Sequence, residues 1–141
     1  MSQWTHVAGL IRVDTLDGIA VRRDTETTLH SLISASTLPT GSEEPLRLAI
    51  LPTRRNNSLN WGHISVWGDL RDYGNARQVE ELSEWFRLLC QALVNEHYII
   101  RQAVLLVEVE RAATFVLSAS PELGDAKVVV RVVSVPIPVA A

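Results

Sequence analysis

The chain has one cysteine, one methionine and one lysine among 141 residues. Each scarcity excludes something. Cys90 has no second cysteine for an internal disulfide and falls at an apolar helical position. It reads as a core residue in a reducing compartment, with the cytoplasm as the default. Arg101, Gln102, Glu108 and Arg131 interrupt the longest apolar runs, so no membrane-spanning stretch of about 20 residues is expected. The opening Met1-Ser2-Gln3-Trp4-Thr5-His6 lacks the basic-then-apolar order of a secretory signal, and none is expected. The sequence holds no H-x-x-x-H, H-E-x-x-H or C-x-x-C pair, no G-x-S-x-G and neither glycine-rich phosphate loop. No metal, cofactor or catalytic motif is therefore expected.

Thirteen basic residues stand against sixteen acidic ones, a net charge of −3. That lacks the basic excess of a nonspecific nucleic-acid binder. Twelve of the bases are arginine and Lys127 is the lone lysine. Codon usage in a GC-rich genome is the plain reading. The sharper one is that some planar guanidinium groups bind phosphates or carboxylates. Hydrophobic residues make up 47% and mean hydropathy is +0.12. Such a surplus favours a chain that buries surface against copies of itself, and a homo-oligomer is expected. The length suits a single domain over 1–141.

Residues 4–14 alternate, with Val7, Gly9, Ile11 and Val13 on one side and Trp4, His6, Ala8, Leu10 and Arg12 on the other. This pattern predicts a first strand. Residues 24–35 predict a short helix with Asp24 as N-cap, although Thr25, Thr27 and Thr28 weaken it. Leu46 to Leu51 and 62–67 read as strands joined by a polar connection. Gly68 to Asn75 reads as a polar turn. Val79, Leu82, Phe86, Leu89 and Leu93 repeat at helical spacing, with Asn75 and Gln78 resembling a capping box. Ile99–Val109, 113–118 and 127–135 follow as an antiparallel meander. Valines on both faces of the last strand predict that it is covered on both sides. The apolar end, Pro136 to Ala141, is expected to pack on a neighbouring subunit. The predicted fold is α+β: a ferredoxin-like, split β-α-β antiparallel sheet with one main helix and a C-terminal β-hairpin extension. The competing picture is a mainly antiparallel α+β sheet with an irregular excursion over 19–44.

Three stretches carry a resemblance: Trp4-Thr5-His6-Val7-Ala8-Gly9-Leu10-Ile11-Arg12-Val13-Asp14, Leu38-Pro39-Thr40-Gly41-Ser42-Glu43, and Val66-Trp67-Gly68-Asp69-Leu70-Arg71-Asp72-Tyr73. Over the first two-thirds of its length the chain resembles small hypothetical proteins encoded by tailed phages and prophages. The resemblance implies a genomic neighbourhood whose small acidic cytosolic proteins serve phage assembly or counter host defence. It brings no activity and no catalytic residue.

The candidate ligand-binding residues fall in two loops. Arg54, Arg55 and Asn57 form the densest basic polar cluster, with Trp61 beside them to stack on a base. Asp69, Arg71, Asp72 and Tyr73 lie in the 68–75 loop, where the start of a helix favours an anion but the two aspartates oppose one. A solvated loop and a tight turn are the plain readings. With a strand over 62–67 between them, the loops are expected about 15–20 Å apart at ~3.3 Å per residue. Arg22-Arg23 is the second basic cluster.

The sequence thus predicts a non-catalytic phage-type accessory protein that sequesters a host protein or a small anionic, nucleotide-like ligand. The alternatives are a structural or assembly component of a phage particle, and a nucleotide or phosphoester hydrolase using His63, Asp69 and Asp72.

Overall fold

The computed structural model describes residues 2–55, 60–73 and 77–136. In chain order it contains β1 (Trp4–Thr15), α1 (Thr25–Ala35), β2 (Arg47–Arg55), β3 (Asn60–Arg71), α2 (Gln78–Asn95), β4 (Ile99–Val109), β5 (Ala113–Pro121) and β6 (Val128–Pro136). The strands form one six-stranded sheet of order β2-β3-β1-β4-β5-β6, and every neighbouring pair is antiparallel. The protein is α+β. β1 and β2 run the same way with β3 between them, and β3 and β4 run the same way with β1 between them. β5 and β6 extend the sheet past β4 as the predicted meander.

Alternation decides the core. Val7, Ile11 and Val13 of β1 share a face with Ile64, Val66 and Leu70 of β3 and with Ala103, Leu105 and Val107 of β4, and all are buried. α2 covers this face, packing on β4, β5 and β6, while α1 packs on β2 and α2. From α2 come Leu82, Trp85, Phe86, Leu89, Cys90 and Leu93, all buried at three- and four-residue spacing. Leu88, which widens the apolar stripe in the sequence, is 53% exposed. Burial pushes the Cys90 thiol up to about 12, as befits an inert core thiol.

The two helix starts are built differently. Asp24 caps α1, its carboxylate accepting from the Thr27 amide at 3.0 Å and the Thr27 hydroxyl at 2.7 Å. The Thr28 hydroxyl donates to the Asp24 carbonyl oxygen at 3.0 Å. The threonines that weaken the helix on propensity thus serve its first turn. The start of α2 differs from expectation. Gln78 is the first helical residue, its side chain is buried, and it accepts a hydrogen bond from the Thr5 hydroxyl at 3.0 Å. A capping box needs the glutamine at the third helical position, so it does not form; Asn75 lies outside the described residues.

β3 is twice the expected length. The alternation Val66, Gly68, Leu70 inward against Trp67, Asp69, Arg71 outward continues through the stretch read as a turn. β6 also departs from expectation. Val128 is fully buried, but Val132, Val133 and Val135 are 45%, 58% and 50% exposed. Within one subunit the strand is an edge that α2 covers from one side, not a strand covered on both. The tail expected to pack on a neighbour lies outside the described residues from 137 onward.

Gly9, between Val66 and Leu105 in the sheet, is there for space. A Cβ on it would meet the Val104 carbonyl oxygen at 2.5 Å and a Leu105 methyl at 2.7 Å. Gly9→Ala is therefore expected to lower stability by about 1–3 kcal/mol through overpacking. Urea denaturation that detects no loss would show that the β1–β4 pair yields freely.

Candidate functional site

The sheet has a second face, which no helix among the described residues covers. Its residues are the outward set of the same alternation, and the strand register brings them into rows. One row runs Trp67, Ala8, Leu106, Val116, Val133 across five strands. Trp67, Leu106 and Val133 are 42%, 46% and 58% exposed. The next row carries Ser65, Leu10, Val104, Ser118 and Arg131, and beyond it stand His63, Arg12 and Gln102. On the other side of the apolar row lie Asp69, His6, Glu108, Thr114 and Val135. An apolar band is thus flanked by an acidic margin and a basic one. A contiguous exposed apolar patch with a polar rim is characteristic of an interaction surface.

The acidic margin is organised around His6. Register places it between Asp69 on β3 and Glu108 on β4. Its Nδ1 lies 2.7 Å from Asp69 Oδ1, its Nε2 lies 3.6 Å from Glu110 Oε1, and its ring stacks parallel to Trp4 with centroids 6.5 Å apart. His6, Ala8, Asp69, Leu106, Glu108 and Thr114 line a concavity of about 300 Å³. Donating to the Asp69 carboxylate raises the His6 pKa above its ordinary 6.5; burial opposes this, and the charges of Asp69 and Glu108 and the Glu110 contact add to it. A raised folded-state pKa means the imidazolium stabilises the fold below about pH 6.5. That contribution is lost as pH rises through the folded value. The advantage of the wild type over His6→Gln is accordingly expected to be larger near pH ~5.5 than near pH ~8.5. Denaturation of both proteins at the two pH values measures it, and an equal difference would show that the ring is not charged where it lies.

The predicted ligand residues do not converge. Trp61 stands near the far end of β3 from Arg71, ten residues away, roughly 33 Å at ~3.3 Å per residue. This is well beyond the 15–20 Å expected from a shorter strand. Arg54 and Arg55 close β2 opposite Trp61 and Asn60; their side chains and all of Asn57 lie outside the described residues. The Trp61 ring is held by Arg12 at 5.9 Å. Arg71 is fully engaged: it pairs with Glu43 at 2.5 Å and Asp72 at 3.7 Å, donates to the Ser2 hydroxyl from Nε and Nη2, and lies over Trp4 at 5.9 Å. The Asp72 carboxylate accepts from the Gln3 amide at 2.9 Å, and its backbone takes a positive φ of 49°. The Tyr73 phenol is pushed up to about 12 by burial, with Glu81 adding to the shift. Two acids, Glu43 and Asp72, paired to a committed arginine make this end hostile to an anion.

His63 is six residues from Asp69 on the same strand face, about 20 Å at ~3.3 Å per residue. His63, Asp69 and Asp72 therefore do not form one constellation. Arg23, from the second basic cluster, is structural. Its Nε donates to Asp17 at 2.6 Å, its Nη2 donates to the Glu96 carbonyl oxygen at 2.6 Å, and it lies over the Tyr98 ring at 4.5 Å.

No protein-family model matches the chain, and no curated protein or solved structure matches it significantly. The geometry of the sheet therefore carries the functional argument. Sequence reasoning missed the open face as a site because it sought anion-binding chemistry in loops. The signal was present in the alternation that sets Trp4, His6, Ala8, Leu10 and Arg12 apart from the core side of β1.

Proposed function

We propose that this protein is a non-catalytic, cytoplasmic binding protein that works by seating a protein surface on the helix-free face of its sheet. Its role is that of an accessory protein of the tailed-phage kind, in particle assembly or in countering host defence, as the resemblance of its first two-thirds implies. The apolar row from Trp67 to Val133 carries this reading. Burying such side chains gains about 25 cal/mol per Å² of apolar surface, and leaving them wet forgoes it. A protein partner also suits the mixed margins, where carboxylates on one side and arginines on the other find opposite charges on a folded surface. A nucleotide-like anion is the weaker choice, because the concavity on this face is walled by Asp69 and Glu108 and Arg71 is already paired.

The topology supports a ferredoxin-like core made of β1, α1, β2, β3, α2 and β4, with the β5–β6 hairpin appended. In such a core both helices lie on one side, which leaves the other side of the sheet free for a partner. Among the described residues no helix is long and apolar enough to cross a membrane.

A photo-crosslinking residue at position 106, with one at Glu80 on α2 as control, tests the reading in cells. A protein adduct formed from position 106 and not from position 80 is the expected result. Absence of any protein adduct from position 106, together with calorimetric heat from a nucleotide panel, would replace the protein partner with a small anion.

A further inference from the structure

Resting on that reading, we infer that the occupant of the helix-free face is the same face of a second copy, related by a two-fold axis that runs across the strands. Two observations select this partner. The first is area. Six strands at ~4.8 Å spacing and about seven residues of rise make a face of roughly 25 Å by 25 Å. That is about 600 Å² in projection, close to the ~800 Å² of accessible surface on one side of a standard interface. Two such faces pack about 10 Å apart as in any sheet-on-sheet sandwich.

The second observation is charge. Asp69 and Glu108, with His6 between them, line one margin of the apolar band, and His63 and Arg12, which lies 3.9 Å from Asp14, line the other. An isologous interface must be complementary to itself. An axis along the strands would lay the acidic margin on its own copy. An axis across the strands, at the level of Ala8 and Leu10, instead lays the acidic margin of each copy on the Arg12 margin of the other. Leu106 then meets Val104 of the second copy at the centre. Of these two orientations, the second sets each Arg12 opposite His6 and diagonally between Asp69 and Glu108 of the other copy.

The experiment uses the full chain. Sedimentation at micromolar concentration is expected to give about twice the 15.6 kDa chain mass. Leu106→Lys, at the centre of an exposed row, is expected to give a folded monomer with an unchanged far-ultraviolet circular dichroism spectrum. The axis is tested by charge reversal. Arg12→Glu and Glu108→Arg, each alone, are expected to weaken dimerisation about tenfold or more through like-charge contacts. Mixed together they restore it, because position 12 of each copy again faces an opposite charge at position 108 of the other.

A folded wild-type monomer at high concentration would overturn the inference. So would a dimer indifferent to Leu106→Lys, since pairing through the β6 edge would behave that way. Failure of two folded charge variants to rescue one another would overturn the axis. A crosslink from position 106 to a foreign protein in place of a second copy would sink this inference and leave the proposed function standing. No protein adduct of either kind would sink both.

Discussion

Asp17→Ala is expected to lower stability by about 3–5 kcal/mol, the cost of removing one partner from a buried charged network. Asp17 is 1% exposed, in a segment that contributes no strand. Its carboxylate accepts from Arg23 Nε at 2.6 Å, the Tyr98 hydroxyl at 2.8 Å and the Thr25 hydroxyl at 3.0 Å. Its carbonyl oxygen accepts from the Asn60 amide. Backbone and side chain of this one residue thus join the end of β1, the start of α1, the start of β3 and the entry to β4. The truncation leaves a buried phenol and a guanidinium without their acceptor. Guanidinium denaturation measures the loss, and a change under about 1 kcal/mol would mean the 16–23 segment is not bound into the fold. Burial alone would raise the Asp17 pKa, but hydrogen bonds from Tyr98, Arg23, Thr15 and Thr25 outweigh it and hold the carboxyl below its ordinary 3.8. A depressed folded-state pKa stabilises above the unfolded value and loses that contribution as pH falls through the folded one. The advantage of the wild type over Asp17→Asn is therefore expected to shrink in the acid range.

Phe86→Ala is expected to cost a similar amount, about 3–5 kcal/mol, by lost transfer energy and the cavity left behind. Phe86 is fully buried, with Leu82, Leu89 and Leu93 on the same side of α2 equally inaccessible or nearly so. The helix is anchored at both ends, by Gln78 to Thr5 and by Gln91, whose side chain accepts from the Val128 amide at 2.8 Å. Such anchoring limits how far the helix can settle into the void, which places the cost toward the upper part of the range. Thermal or urea unfolding gives the value, and a loss below about 1 kcal/mol would mean that the α2 stripe does not face the sheet.

What was legible in the sequence was whatever depends on local periodicity. The first strand, the Asp24 cap, the α2 stripe and the three-strand meander all follow from spacing that a short window contains. The misreadings share one cause. Gly68, Asp69 and Arg71 look like turn chemistry because strands are expected to be apolar or β-branched, whereas Asp72, past the end of β3, does turn. Here their polar members face outward, where Asp69 meets His6 and Arg71 meets Trp4 across the ladder. A strand with one open face carries ion pairs as readily as a loop does. The same openness explains β6, whose two-sided valines suggested cover on both faces.

The candidate site shows the division most sharply. Sequence alone determined that His6 and Arg12 share one side of β1, and that valine and leucine alternate into both sides of the tail. It did so because side-chain direction along a strand has a fixed period of two. Only the tertiary structure decided which strands became neighbours, which side the helices covered, and therefore which alternate set stayed wet. Register between strands is set by long-range burial against α1 and α2. That is why Arg71 was committed to Glu43 and Trp4, Arg23 to Asp17, and the apolar row from Trp67 to Val133 was left facing outward.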